Sequence, residues 1–302
     1  CCGAGRWRAG LAWCCEAGLA GRCEAGLAGR CEAGLAGRCE AGAGFAGRGL
    51  AMTHDFSGKV AVVTGSGRGI GRAYAEALAG AGASVIVADL DGDSAAATAA
   101  SITETGGSAI GVVVDVADPA SALAMAAKAS EIFGGVDFLV NNAAIFGGMK
   151  LDLLLTVDWE YLQRFLGVNQ LGALACTRAC YSSMAARGGG AIVNQSSTAA
   201  WLYAGYYGWA KGALNSLTQQ LAHELGGMNI RVNAIAPGPI DTEAARSVVP
   251  ESYLRQLVGS LALKRQGTPG DLTGMCLFLL SDEARWITGQ IFNVDGGQVV
   301  RL

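Results

Sequence analysis

From about residue 55 onward the chain alternates between two hydrophobic rhythms. Short, nearly continuous apolar runs fall at 60–63, 84–88, 110–114, 137–140, 191–194, 230–236 and 290–294. Runs such as Val60-Ala61-Val62-Val63 read as strands buried on both faces, because a strand with one wet face would alternate apolar with polar. Between these runs lie longer segments of helical period. The clearest extends from Tyr206 to Gly226, with Leu214, Leu217, Leu221 and Leu225 on one stripe. Strand-like and helix-like segments in strict alternation predict an α/β domain: one doubly wound parallel sheet with helices on both faces.

The first 51 residues break this rhythm. Cys-Glu-Ala-Gly-Leu-Ala-Gly-Arg occurs at 15–22, 23–30 and 31–38, and a degenerate copy starts at Cys39. A period of eight suits neither helix nor strand, and each repeat carries two glycines and little to bury. The segment is therefore expected to be disordered, or to be translated upstream repetitive DNA with Met52 as the true start. Seven of the ten cysteines lie here, at 1, 2, 14, 15, 23, 31 and 39. No Cys-x-x-Cys pair of the kind structural zinc sites use is among them. Two regions follow: a repetitive extension over 1–51 and a single catalytic-sized domain over 52–302.

Charge and composition narrow the function classes. Lys plus Arg number 22 and Asp plus Glu 25, a formal net charge of −3, which gives no footing for nucleic-acid binding. No run of about eighteen apolar residues suggests a membrane span. Cys176, Cys180 and Cys276 read as small buried residues of a cytoplasmic protein. No His, Cys and carboxylate cluster has metal-site spacing, so no metal is expected. His223 reads as a surface residue, His54 as part of a loose terminus, and Trp159 as core.

Three motifs carry chemistry. The first is Thr64-Gly65-Ser66-Gly67-Arg68-Gly69-Ile70-Gly71, between the run at 60–63 and a helix-like segment at 72–78. Glycines allow positive φ and close approach of a pyrophosphate, and the helix start offers free N–H groups. The spacing is Gly-x-x-x-Gly-x-Gly rather than the general Gly-x-Gly-x-x-Gly. The second is Asp89, eighteen positions after Gly71 and at the end of the second apolar run. A carboxylate there accepts from both adenosine ribose hydroxyls and repels a 2′-phosphate. Leu90, the next residue, is not basic. Both points favour NAD over NADP; Arg68 is the residue that argues the other way. The third is Tyr207-Gly208-Trp209-Ala210-Lys211, the chain's sole Tyr with a Lys four positions on. On a helix that spacing sets a phenol and an ammonium side by side.

Together these motifs resemble the short-chain dehydrogenase/reductase family, over about residues 55 to 300. Further matches follow in order: Asp115-Val116, Asn141-Asn142-Ala143-Ala144, Asn169, Ser197 after Ala191–Ser196, Pro237-Gly238-Pro239-Ile240-Asp241-Thr242, and Asp295-Gly296-Gly297. The resemblance implies a single Rossmann-type domain, a nicotinamide cofactor and a homotetramer with contacts around 170–186, 207–225 and the C-terminal strand. It implies catalysis by Asn169, Ser197, Tyr207 and Lys211. Tyr207 is then the acid/base. Lys211 tunes it and holds the nicotinamide ribose, Ser197 binds the substrate oxygen, and Asn169 holds a water that links Lys211 to solvent. A free phenol ionises near pH 10, so a neutral-pH base needs nearby positive charge. The implied cofactor contacts are Gly65, Ser66, Gly67, Arg68, Gly69, Ile70, Gly71, Asp89, Leu90, Asp115, Val116, Asn142, Ala143, Ala144, Tyr207, Lys211, Pro237, Gly238, Ile240 and Thr242.

Ser197 lies ten residues before Tyr207, a shorter interval than in many family members. Ser196 is its rival, and Tyr206 the rival of Tyr207, although Tyr206 has Ala210 where the partner Lys should be. Substrate contacts are expected from Ile145, Phe146, Ser197, Trp201, Tyr203, Tyr206 and Tyr207, and from the stretch 243–263. That lining is apolar and aromatic, suited to a hydrophobic or cyclic alcohol, a diol or a steroid and the matching ketone. Arg246 and Arg255 keep an anionic substrate open. The alternatives are an NADPH-dependent 3-oxoacyl-carrier-protein ketoreductase and, more remotely, a non-catalytic nucleotide-binding protein.

Overall fold

The computed structural model describes residues 54–300; the expectations for residues 1–51 lie outside the described residues. Seven strands form one all-parallel sheet: β1 Val60–Thr64, β2 Ser84–Asp89, β3 Ser108–Val113, β4 Phe138–Asn141, β5 Gly190–Gln195, β6 Ile230–Pro237 and β7 Ile291–Val294. Their order is β3-β2-β1-β4-β5-β6-β7. The chain winds outward from β1 to β3, then returns to pair β4 on the other side of β1. That reversal opens a crevice beyond the carboxyl ends of β1 and β4, where ligands of doubly wound sheets bind.

The apolar runs have no polar alternation because both faces are covered. Ala61 and Val63 face one core with Tyr74, Leu78, Ala99 and Leu279, from helices α1 (Gly69–Gly80), α2 (Gly92–Glu104) and α9 (Gly270–Leu280). Val62 faces the other core with Met125, Cys176 and Leu221, from α3 (Pro119–Phe133), α5 (Gly172–Ala186) and α6 (Gly205–Leu225). The expected stripe on α6 holds at Leu214, Leu221 and Leu225, which are buried, while Leu217 packs partly against them. Strand β3 begins two residues earlier than the apolar run at 110–114. It is an edge strand, and Val113 stays exposed. Among the described residues no helix is long and apolar enough to cross a membrane.

Two expectations are corrected. Trp159 opens α4 (Trp159–Leu166) and is 70% exposed. Leu162 and Phe165 turn inward onto Tyr206 and Ala210 with Val157 and Tyr161 packed against them, and Trp159 is not part of that cluster. His54 is not loose: its side chain is buried, stacks on Phe56 at 5.9 Å and lies 4.0 Å from the Glu283 carboxylate.

Candidate active site

The glycine turn is shaped by contacts that leave no room for a Cβ. Gly65 and Gly69 take φ of +62° and +58°, a region that L side chains avoid. A Cβ on Gly65 would lie 2.7 Å from Ala143 Cα, and one on Gly71 only 2.2 Å from Gly65 O. Helix α1 starts at Gly69 with no side-chain cap and no acid in its first turn, so its first N–H groups are open to an anion. Asn142 fastens the β4 exit to the turn, donating from Nδ2 to Thr64 O at 3.0 Å and Gly65 O at 2.8 Å.

Asp89 ends β2 on the rim of the same crevice. Its Oδ2 accepts the Gly67 N–H at 2.8 Å and its Oδ1 the Asp91 N–H at 3.1 Å. Backbone groups therefore aim the carboxylate before any ligand arrives. The carboxyl of Asp91 is held below its ordinary value, chiefly by the Ser94 hydroxyl and N–H, with a smaller contribution from Arg68.

One cleft of about 1290 Å³ runs from Asp89 to Tyr207 and beyond. Of the residues expected singly in the site it takes in all but Ser66, Gly67, Gly71, Asn169, Trp201 and Tyr203, and of the stretch 243–263 it takes in 243–250, Tyr253, Leu254 and Leu257. Ser66 is buried, with Oγ donating to Val63 O at 2.7 Å, so it and the two glycines shape the turn from behind. Trp201 ends a 3₁₀ turn, Thr198–Trp201, and Tyr203 stands fully exposed on the loop that follows. That short turn is how the ten-residue interval between Ser197 and Tyr207 is spanned; Thr198, Ala199 and Leu202 line the cleft, whereas Trp201 and Tyr203 do not.

Ser197 leaves β5 in extended conformation, and its Oγ accepts the Ala199 N–H at 3.1 Å. Ser197 and Tyr207 both line the cleft. The Ser196 hydroxyl is engaged elsewhere: the residue is buried, with Oγ donating to Asn215 Oδ1 at 2.6 Å. Tyr207 lies under Phe146, with ring centroids 5.2 Å apart. Burial pushes its phenol up to about 12, and the nearby Ser197 hydroxyl pulls the other way. Lys211 is 2% exposed; its Nζ donates to Gln195 O at 2.7 Å and sits 5.8 Å from the Tyr207 ring centre. Burial lowers the ammonium to about 8. Burial thus drives both groups toward their neutral forms.

Asn169 lies in a π-helical turn, Gly167–Leu171, that joins α4 to α5. Its Nδ2 donates to Phe165 O at 3.0 Å and Ile145 O at 3.3 Å, which leaves Oδ1 buried and unpartnered. Asn141 Oδ1 is unpartnered too. Both residues, with Thr64 and Lys211, surround a separate cavity of about 10 Å³, which is close to the room one water needs.

Tyr206 backs the cleft from the core. It is buried against Phe165 at 4.7 Å, edge to face, and its hydroxyl donates to Lys150 O. The far wall is formed by residues that sequence reasoning missed: Leu151, Leu153, Leu154 and Leu155. The signal was a leucine-rich run between β4 and α4 with no strand partner and no helical period. Residues of α7 (Glu243–Val248) and α8 (Glu251–Ser260) line the cleft with them, as the stretch 243–263 led one to expect; neither helix buries a residue. Arg246 is spent on Asp241 in a two-pronged pair at 2.8 Å, and Arg255 on Glu251.

Comparisons with known proteins agree with this geometry. A family model described as enoyl-(acyl carrier protein) reductase matches residues 65–298. An uncharacterized oxidoreductase of Mycobacterium tuberculosis (strain ATCC 25618 / H37Rv) is 67% identical over 193 residues, which is 64% of this chain and 78% of that protein. An uncharacterized oxidoreductase of Thermotoga maritima is 39% identical over 252 residues, 81% of this chain and 97% of that one. A solved 7α-hydroxysteroid dehydrogenase, complexed with NADH and 7-oxo glycochenodeoxycholic acid, superposes with TM-score 0.78 at 34% identity, covering 83% of this chain and 98% of that one. A short-chain type dehydrogenase/reductase from Mycobacterium marinum gives TM-score 0.76 at 33% identity, covering 82% and 98%. With its fold, its glycine turn and its Ser, Tyr and Lys in the family's order, the chain belongs to the short-chain dehydrogenase/reductase family.

Proposed function

We propose that this oxidoreductase interconverts a hydrophobic secondary alcohol and its ketone with NAD, using Tyr207 as acid/base. The observation that carries the reading is that Ser197 and Tyr207, with Lys211 one turn along α6, line the same cleft as the Asp89-tipped glycine turn. A cyclic alcohol, a diol or a steroid suits the leucine-lined wall. The steroid named with the hydroxysteroid dehydrogenase structure supports that size class, and the NADH in the same complex supports the cofactor.

The residues present fit a nicotinamide dinucleotide. The turn has backbone where a side chain would block a pyrophosphate, α1 opens without a cap, and Asp89 is aimed by two N–H groups. Gly65, Gly69 and Ile70 would hold the phosphates, Asp89 the adenosine ribose, and Lys211 with Tyr207 the nicotinamide ribose. When bound, the dinucleotide supplies the hydride acceptor. Asp89 disfavours a 2′-phosphate and so counts against the NADPH-dependent acyl-carrier ketoreductase.

Ser197 and Tyr207 together bind the substrate oxygen, and Tyr207 takes the hydroxyl proton in oxidation or returns it in reduction. Burial leaves Tyr207 protonated at neutral pH, the form that donates to a carbonyl. Oxidation needs the phenolate, so its rate rises with pH. Positive charge from Lys211 brings that rise to lower pH. A water in the small cavity would donate to Asn169 Oδ1 and Asn141 Oδ1 and accept from Lys211, giving the proton a way past the buried ammonium.

Initial rates of the full chain with NAD⁺ and NADP⁺ over a panel of cyclic alcohols and hydroxysteroids test this. A higher kcat/KM with NADP⁺ overturns the cofactor reading, and no oxidation of any member overturns the reaction class. A homotetramer in the cytoplasm completes the reading. Exposed Tyr181 on α5 and Trp209 on α6 supply apolar contact surface, and light scattering should return the mass of four chains.

A further inference from the structure

Just past β7, the chain places a polar side chain in the cleft that the mechanism above leaves unused. Asp295 accepts the N–H groups of Gly297 and Val299, each at 2.9 Å, and Asn293 Nδ2 at 3.3 Å. Gly296 and Gly297 take φ of +64° and +80°, so the chain reverses. The turn is seated on the β6 exit, where a Cβ on Gly238 would come within 2.8 Å of Asp295 Cα. This brings Gln298 to the cleft wall beside the catalytic loop. Its amide Oε1 lies 2.9 Å from Oγ1 of Thr198, the buried residue that follows Ser197. The same Oγ1 lies 3.1 Å from Pro237 O.

A threonine hydroxyl has one proton to give, and Pro237 O can only accept. All the groups are satisfied when the hydroxyl donates to Pro237 and the Gln298 amide, turned half a rotation, donates Nε2–H to Thr198. The two amide ends have the same shape, so the turn costs no space. One end of the amide is then engaged, and Oε1 is left as a neutral acceptor on the cleft wall that Gln298 lines.

We infer that Gln298 is a specificity-determining residue: its amide oxygen accepts a hydrogen bond from a second hydroxyl of the substrate. The inference rests on the alcohol-oxidising reading above and narrows it to alcohols that carry another hydroxyl, such as cyclic diols and dihydroxysteroids. A site built to bond a hydroxyl discriminates against the analogue lacking it, because the site's own polar group is then left unpaired.

The test uses the full chain and two matched pairs: cyclohexanol against cis-1,2-cyclohexanediol, and a monohydroxysteroid against a dihydroxysteroid of the same skeleton. The wild type should favour the diol in at least one pair. In Gln298→Leu the diol-to-monool ratio of kcat/KM should fall about tenfold, the scale of one neutral hydrogen bond or slightly more. Thr198→Val keeps the shape and removes the anchor, so the same ratio should fall. NADH affinity, read by fluorescence titration, should move far less than the ratio. A wild type indifferent to the second hydroxyl, a ratio that neither variant moves, or NADH affinity lost in step with the ratio overturns the inference. If both members of a pair are oxidised with an unchanged ratio, this inference alone fails. If no member of either pair is oxidised with either cofactor, the underlying reading fails with it.

Discussion

The two halves of the cleft are built from different materials. On the glycine-turn side backbone meets backbone: Gly65 against Ala143 Cα, Gly71 against Gly65 O, Gly238 against Asp295 Cα, each with less than 3 Å for a Cβ. On the far side the wall is side chains, four leucines of a connecting segment and two helices that bury no residue. In the first half a single added methyl disturbs the fold and the ligand surface together. In the second, a side chain can change while the core that supports the site stays intact. Such an arrangement lets the binding of one constant ligand and the choice of a variable one change independently.

The sharpest test falls on the seam between the halves. Tyr207→Phe removes one oxygen and should lower kcat by at least ~10²-fold, the usual scale for a positioned acid/base, while fluorescence titration still shows NADH bound. Near wild-type turnover by the folded variant would leave the seam without its chemistry. Lys211→Met bears on the same group. Without the ammonium the burial-raised phenol has less help in ionising, so the rise of oxidation rate with pH should move to higher pH. An unmoved profile would show that Lys211 does not tune Tyr207.

The contrast in tolerance comes next. Gly71→Ala forces a Cβ against Gly65 O and should cost about 1–3 kcal/mol of stability, the range for overpacking. Calorimetry should show a melting temperature lower by several degrees, and NADH affinity should drop at least tenfold. On the other wall, Leu153→Ser with Leu155→Ser should leave melting and NADH affinity within error and raise KM for steroid-sized substrates a few-fold. Similar melting losses in the two variants would erase the distinction between the halves.

The same contrast explains what could be read from the chain alone. Where backbone packs on backbone, only glycine fits, so the turn and Gly238 announced themselves by residue type. The pairing of Tyr207 with Lys211 was legible because helix period fixes it. Ser197 over Ser196 was a preference by family order, and only the packing shows Ser196 turned to Asn215. The far wall depended on where short turns send their side chains. Trp201 and Tyr203 carry suitable chemistry but do not line the cleft, although Ala199 and Leu202 beside them do, whereas the leucines at 151, 153, 154 and 155 carried no chemical signature at all. Trp159 failed for a related reason: its place ahead of the Asn169 helix read as a packing position, but its neighbours Val157, Tyr161 and Leu162 join the cluster and leave it exposed.

Thr64 holds a consequence of its own. Its hydroxyl donates toward Val140 O at 3.4 Å and accepts from the N–H groups of Asn142 and Ala143, both at 3.1 Å. Those two amides belong to no strand or helix, yet they are held by a buried group at the centre of the sheet. In deuterium exchange they should therefore keep their protons about as long as the strand beside them, and a loop would wear the isotope signature of the core.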